Sequence, residues 1–444
     1  MNLTDRSVLV VGAGRTGQSV ARFLAGRGAV VRLTDRRTEL LDRVEITGAM
    51  ERVVDDGGDT LLRGIDLVVP SPGVPRTHAA LQLASARGIS VMSEIELAYR
   101  FLPCPLLAIT GTNGKSTTTT LLGAMLAATG DRIFVGGNLG TPLIDAVQTD
   151  GPAYVAAVAE ISSFQLEWVQ TFRPRVGVLL NLTPDHLDRY ADLADYGAAK
   201  AALLARQRAD DFAVLNRDDP WVWEQRHRTR ATAISFGREP VEFGAFIDGD
   251  ALVYWGPDPQ PRRFPLEHVR LHGAHNHENM LAAITAASVW GVPADAVQRA
   301  LEETDGLPHR LTLVRELDGV RYFDDSKGTN VGAVIKSLES FAGRVILLAG
   351  GYDKGGDFNA LRPLLRERAK RLICFGAARD KIAAQLEDAT ESEVVRGLAD
   401  AVRAAAATAE AGDTVLLSPG CASFDEFTDY TARGRRFREL VEAL

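Results

Sequence analysis

A chain of 444 residues has room for about three domains at roughly 150 residues each. With 46% apolar and 24% charged residues it is neither disordered, nor collagen-like, nor a small disulfide scaffold. The net charge of −8 argues against a nucleic-acid partner held by a basic surface, while leaving room for local basic pockets around anionic small molecules.

The N-terminus runs from a polar start straight into a strand-like stretch, without the charged and apolar regions of a leader. No apolar run approaches the ~18 residues of a membrane span. Cys104, Cys374 and Cys421 have no ligand-like spacing, which suits a reducing compartment and offers no zinc site. The expectation is a cytoplasmic protein with no membrane partner. Only seven of the 50 basic residues are lysine, and the other 43 are arginine. A lysine here is therefore more than usually expected where a compact or modifiable amine is wanted.

In chain order, residues 7–11 read as a strand, 12–17 as a Gly-rich turn, 18–27 as a helix and 29–34 as a second strand ending at Asp35. The turn, Gly12-Ala13-Gly14-Arg15-Thr16-Gly17, matches G-x-G-x-x-G, a loop that brings backbone N–H groups to a diphosphate. An acid at the place of Asp35 often reads a ribose hydroxyl. The plain alternative is a tight turn that binds nothing. A further strand at 67–69 breaks at Pro70-Ser71-Pro72-Gly73, and this βαβ domain closes near residue 94.

A second α/β segment opens with a strand at 106–110 leading into Gly111-Thr112-Asn113-Gly114-Lys115-Ser116-Thr117 and an Ala/Leu-rich helix. The strict P-loop pattern fails, because its first glycine would fall at Ile109. The mechanics remain: N–H groups facing phosphate, Lys115 reaching the β/γ-phosphates, and Ser116 or Thr117 offering a hydroxyl to Mg²⁺. Strands are expected at 154–159, 176–181 and 212–215. Glu160 follows the first of these, where an acid is either a metal ligand or a helix-start residue. The polar stretch 181–189 follows the second, and its His186 is a metal ligand or an ordinary loop histidine. Lys200, on an Ala-rich helix, is by default a solvated lysine. Residues 230–270 suggest a small antiparallel patch of uncertain role. Asn276 and Asn279 share a face of a helix at 276–290 and could bracket a base or ribose. His272 and its neighbouring histidines lack the spacing of a metal site.

After a turn-rich boundary at 304–308, strands are expected at 322–323, 345–349, 371–375 and 414–418. Three of them lead into polar loops: Asp324–Asn330, Gly350–Gly356 and Ser418–Asp425. Two of these loops carry scarce lysines, Lys327 and Lys354.

Taken together these motifs resemble those of the muramyl peptide ligases, ATP-dependent enzymes of bacterial cell-wall precursor synthesis. The motifs are the GTNGKST loop, Glu160-Ile161-Ser162-Ser163, the Thr183–Arg189 stretch, His275-Asn276-x-x-Asn279, Leu307-Pro308-His309-Arg310, Asp325–Asn330 and Ser418–Asp425. Within the family the chain is most similar to the member that adds D-glutamate, and it lacks the Asp-Asn-Pro-Arg signature of the diamino-acid ligase. The resemblance implies an α/β fold in three domains. A Rossmann-like domain at 1–94 would bind the UDP substrate. A P-loop ATPase-like domain with a parallel sheet at 95–305 would bind ATP. A Rossmann-like domain at 306–444 would close on the cleft and bind the amino acid.

The implied reaction joins D-glutamate to UDP-N-acetylmuramoyl-L-alanine through an acyl phosphate, giving ADP and phosphate, in a monomer. The resemblance assigns Gly14, Arg15, Thr16, Asp35, Arg36, Arg37, Ser71, Gly73, Asn138 and Ser162 to the nucleotide-sugar substrate. It assigns the 111–117 loop, Asn276, Asn279, Arg310 and Asp325 to ATP. Lys327, Thr329, Lys354, Ser423, Phe424 and Tyr430 fall to substrate in the third domain, Tyr430 standing where phenylalanine is frequent. Two Mg²⁺ ions are implied, with Ser116, Glu160, His186 and a carbamylated Lys200 as ligands, and Lys115, His186 and Lys200 as catalytic residues.

Three alternatives remain at this point. A folylpolyglutamate synthase-like ligase leaves the N-terminal G-x-G-x-x-G and Asp35 unexplained. An NAD-dependent dehydrogenase leaves Lys115 unused. A nucleotide switch leaves the first domain without a role.

Overall fold

This computed structural model describes residues 1–45, 47–147, 151–258, 260–271 and 273–444, so His272 lies outside the described residues. The first strands are β1 (Ser7–Val11), β2 (Val30–Asp35), β3 (Met50–Val54), β4 (Leu67–Pro70) and β5 (Ser90–Val91). They form a parallel sheet in the order β3-β2-β1-β4-β5. The sequence of β1, SVLVV, is apolar almost throughout because helices cover both faces of such a sheet. Val8 and Val10 pack with Phe23 and Leu24 of the following helix, while Leu9 and Val11 pack with Leu81 on the other face. Each such side chain contributes about 1.5–3 kcal/mol on full burial. That helix begins at Arg15, inside the expected turn, with Gly14 as its N-cap.

The middle strands are β6 (Leu106–Thr110), β7 (Ile133–Gly137), β8 (Ala156–Glu160), β9 (Val176–Leu179), β10 (Phe212–Asn216), β11 (Thr232–Phe236), β12 (Gly244–Asp248), β13 (Ala251–Trp255) and β14 (Arg262–Pro265). They make one sheet of nine in the order β14-β13-β12-β11-β10-β9-β6-β8-β7. The 230–270 segment is therefore not a separate patch. Its β11 pairs in parallel with β10, and β12 in parallel with β11; only β12-β13-β14 run antiparallel.

The last strands are β15 (Thr312–Leu317), β16 (Val320–Asp324), β17 (Val345–Gly350), β18 (Ala369–Phe375), β19 (Ser392–Val394) and β20 (Thr414–Gly420), ordered β15-β16-β20-β17-β18-β19. All neighbours are parallel except the β15-β16 hairpin.

The chain divides into two compact units. One takes residues 1–181, 197–268 and 278–303, and holds the first two sheets. The other takes 182–196, 269–277 and 304–444, and holds the third. No helix among the described residues is long and apolar enough to cross a membrane.

Candidate functional site

In the first unit a cavity of about 650 Å³ opens at the carboxyl ends of β1, β2 and β4. Gly14, Arg15, Thr16, Asp35, Arg36, Arg37, Ser71, Gly73 and Asn138 all line it. This is where ligands bind in parallel α/β sheets. The cavity wall is tied together by Asp35, whose Oδ2 accepts the Ala13 N–H at 2.8 Å and whose Oδ1 accepts the Arg37 N–H at 2.9 Å. Burial works against its charge, but those two N–H groups and the Arg37 guanidinium hold the Asp35 carboxyl below the ordinary range. Asp35 thus fixes the glycine loop through its own hydrogen bonds. Ser71 Oγ donates to the Gly12 carbonyl at 3.1 Å, closing the loop from the other side. Arg15 reaches across to the Gly140 carbonyl at 2.9 Å.

The 111–117 loop leaves β6 and enters a helix at Lys115. Gly114 sits at φ +86°, and a Cβ there would overlap the side-chain oxygen of Asn279, so this turn admits only glycine without strain. That close approach brings Asn279 to the loop. Asn181, at the end of the β9 strand, clamps the loop from below. Its Oδ1 accepts the Asn113 N–H at 2.8 Å, its Nδ2 donates to the Asn113 carbonyl at 3.1 Å, and its own carbonyl accepts the Thr112 N–H at 3.0 Å. Ser116 and Thr117 are buried at the start of the helix.

Lys200 is not the solvated helix lysine of the default expectation. Its side chain lies in the interior at 1% exposure, and its Nζ donates to the Gly111 carbonyl at 2.7 Å. Lys115 Nζ donates to the same carbonyl at 2.9 Å and to that of Thr112 at 2.7 Å. Two amines from distant parts of the chain thus converge on one oxygen of the loop. Glu160, buried at the end of β8, accepts Asn138 Nδ2 at 2.7 Å, which joins this loop region to the cavity above. Ser162 caps the short turn after Glu160, accepting the Gln165 N–H at 3.3 Å.

In the second unit, His186 follows Asp185 at φ +56°, and Asn276 is buried near the start of the 274–290 helix. His186 therefore belongs to the second unit, whereas Glu160 and Lys200 belong to the first. Three polar loops leave β16, β17 and β20, which are neighbours in the third sheet. Asp325 is buried between two of them, its Oδ2 accepting Ser337 Oγ at 2.7 Å and Ser418 Oγ at 2.8 Å. Burial pushes its carboxyl up to about 6 against those two bonds and the nearby Arg310. Lys327 Nζ lies 5.3 Å from the Tyr430 ring centroid, and His309 meets the same ring edge-on. His309 is itself fixed by Asp324, 2.6 Å from Nδ1. Thr329 and Lys354 line one cavity of about 220 Å³. Ser423 is buried, and Phe424 beside it is 70% exposed.

The Mur ligase MurD-like N-terminal domain model matches residues 6–93, the Mur ligase middle domain model 109–287, and the Mur ligase glutamate ligase domain model 309–421. A UDP-N-acetylmuramoylalanine--D-glutamate ligase of Geobacter metallireducens is 46% identical over 100% of this chain and 99% of its own. The chain belongs to the Mur ligase family. A relative of the same name from Syntrophotalea carbinolica is 47% identical over 99% of this chain and 98% of its own. Among solved structures, a UDP-N-acetylmuramate-alanine ligase of Thermotoga maritima shares the fold, with a TM-score of 0.62 at 17% identity over 99% of each chain.

Mur ligases use ATP and Mg²⁺, and the residues here suit both. Mg²⁺ takes one or two carboxylates together with phosphate oxygens and water, not an all-protein cage. Glu160 and the Ser116 hydroxyl are such donors, and among the described residues no three His, Cys, Asp or Glu side chains form a cage.

Arg433 is a residue of this Mur ligase that motif reading passes over. It is 1% exposed, and burial pushes its guanidinium down to about 10. Nε donates to Ser326 Oγ at 3.0 Å and Nη2 to the Ser326 carbonyl at 2.8 Å. Nη1 and Nη2 each donate to the Cys421 carbonyl at 3.1 Å, and Nη1 to that of Ala422 at 3.2 Å. One planar fork therefore staples the 324–330 loop to the 418–425 loop.

Proposed function

We propose that this Mur ligase joins the amine of D-glutamate to the L-alanine carboxylate of UDP-N-acetylmuramoyl-L-alanine, with cleavage of ATP to ADP and phosphate. The observation that carries this reading is the end-to-end similarity, at 46% and 47% identity, to ligases named for that reaction. The three matched domain models support a division of labour among residues 1–94, 95–305 and 306–444.

A carboxylate is inert to amines in water. Its oxygen first attacks the γ-phosphorus of ATP, ADP leaves, and an acyl phosphate forms. The amine then attacks the acyl carbon, a tetrahedral intermediate collapses, and phosphate departs with the bond broken at carbon. In this reading the cavity at β1, β2 and β4 holds the UDP part, with Arg15, Arg36 and Arg37 around its anionic groups. The 111–117 loop and Lys115 hold the triphosphate and stabilise the charge that builds on it. Ser116 and Glu160 would hold one Mg²⁺ and His186 with Lys200 a second, which would supply further neutralisation at the phosphates. Asn276, Asn279, Arg310 and Asp325 serve ATP. Lys327, Thr329, Lys354, Ser423, Phe424 and Tyr430 receive the amino acid and the acyl group.

Carbamylation of Lys200 is part of this reading. Two ammonium groups sharing the Gly111 carbonyl repel one another, and a carbamate turns that repulsion into attraction toward Lys115. It also provides the oxygen ligands that Mg²⁺ prefers.

Phosphate release from ATP tests the whole proposal. Release is expected only with UDP-N-acetylmuramoyl-L-alanine and D-glutamate together. Equal turnover with a folate substrate and L-glutamate would replace it with the folylpolyglutamate reading.

A further inference from the structure

Asp185 precedes His186, and its carboxylate is engaged on both oxygens. Oδ1 accepts Lys354 Nζ at 2.6 Å and the His186 N–H at 2.9 Å, while Oδ2 accepts Asn330 Nδ2 at 3.0 Å. The Asp185 and Lys354 side chains are only 7% and 14% exposed, so water screens the pair weakly.

Asn330 works in two directions. Its Oδ1 caps the helix Val331–Glu339 by accepting the Ala333 N–H at 2.8 Å, and its Nδ2 holds Asp185. The amide is therefore fixed by the helix end, the carboxylate by the amide, and the lysine by the carboxylate. The cavity of about 220 Å³ lies against this chain of contacts, with Lys354 in its wall beside Leu187, Val331 and Ile335. Without the Asp185 carboxylate, the Lys354 ammonium would swing away from this wall on its flexible four-carbon stem. Asp185 takes one of its three N–H donors.

We propose that Asp185, held by Asn330, is a positioning residue that keeps Lys354 aimed at the carboxylate of the amino-acid substrate. The inference rests on the reading above that Lys354 receives that carboxylate.

Steady-state kinetics of the full-length enzyme test it. Asp185→Asn should raise the KM for D-glutamate by about tenfold or more. The KM values for ATP and for the nucleotide substrate should stay within about threefold. Asn330→Ser keeps a capping oxygen but loses the amide donor, and should raise the same KM by a smaller factor. If Asp185 acts through Lys354, the Asp185→Asn/Lys354→Met pair should be no worse than Lys354→Met alone. An unchanged D-glutamate KM in both Asp185→Asn and Asn330→Ser, or strict additivity in the double variant, overturns the proposal. Should Lys354→Met leave the D-glutamate KM unchanged, it is the Lys354 assignment that falls. A raised KM in Lys354→Met with a normal one in Asp185→Asn removes only the role of Asp185.

Discussion

Replacing Arg433 by methionine keeps an unbranched apolar stem and removes its five N–H contacts. The carbonyl of Ala422 retains the Tyr352 N–H at 2.8 Å, and Ser326 Oγ still donates to the Tyr430 carbonyl at 2.8 Å. The Cys421 and Ser326 carbonyls lose their guanidinium donors. Two stranded acceptors at about 1–3 kcal/mol each give about 2–6 kcal/mol, and relief of the buried cation offsets part of that. A net loss of about 2–4 kcal/mol should lower the melting temperature of the second unit by about 5–15 °C. Calorimetry on the whole chain reads the melting, and the KM for D-glutamate reads the loops, which should loosen together. Arg433→Lys keeps the charge without the fork and should fall between wild type and Arg433→Met. A methionine variant melting within about 2 °C of wild type, with an unaltered amino-acid KM, would refute the stapling role.

Gly114→Ala should weaken binding of a non-hydrolysable ATP analogue by about tenfold or more, since the left-handed turn alone costs about 1–2 kcal/mol before Asn279 is displaced; unchanged affinity in a titration would contradict the loop geometry. Lys200→Ala should lose most activity in the phosphate-release assay and regain some when short carboxylic acids are added, and full activity without them would exclude a ligand role. Burial pushes the Glu94 carboxyl up to about 7, despite the Ile144 N–H that it accepts at 2.7 Å, and Asp145 adds to the rise. A raised carboxyl binds its proton more tightly folded than unfolded, so the first unit should lose stability as pH climbs from about 4.5 to about 7. Glu94→Gln should flatten that slope in urea midpoints taken at intervals from pH 4.5 to 8, and parallel slopes would count against it.

Much of this site can be read from the sequence because its parts are local. Strands at 7–11 and 106–110 are continuous apolar runs ended by glycine, and each delivers its loop to the carboxyl end of a parallel sheet. Pairing between distant strands is less legible. The short pieces of 230–270, broken by Gly, Pro and Asp, reveal their place only through β11 joining β10. The burial of Lys200 is equally hidden, since its Ala-rich helix shows no strong apolar face and the decisive contact, Gly111, lies 89 residues away. Arg433 carries a signal that could have found it. It sits among Arg435, Arg436 and Arg438, which makes the stretch look like a solvated basic helix. Yet Arg433, Gly434, Phe437 and Val441 share one buried face at helical spacing.

The scarcity of lysine has a practical consequence. Each of the seven has a defined neighbour: Lys115 and Lys200 at the Gly111 carbonyl, Lys327 over Tyr430, Lys354 at Asp185, Lys336 at Glu339, Lys370 at Asp413 and Lys381 at Asp353. Lys115, Lys200, Lys327 and Lys354 are themselves residues assigned to ligands, whereas Lys336 and Lys370 lie elsewhere on the third-sheet unit and Lys381 bonds Asp353 and Gly356 in the wall of the Lys354 cavity. An amine-directed acylating reagent would therefore leave an unusually sparse pattern of adducts on this protein. Lys336 and Lys370 become internal standards, and mass shifts at Lys115, Lys327 and Lys354 become a footprint of occupancy, read without any engineered label.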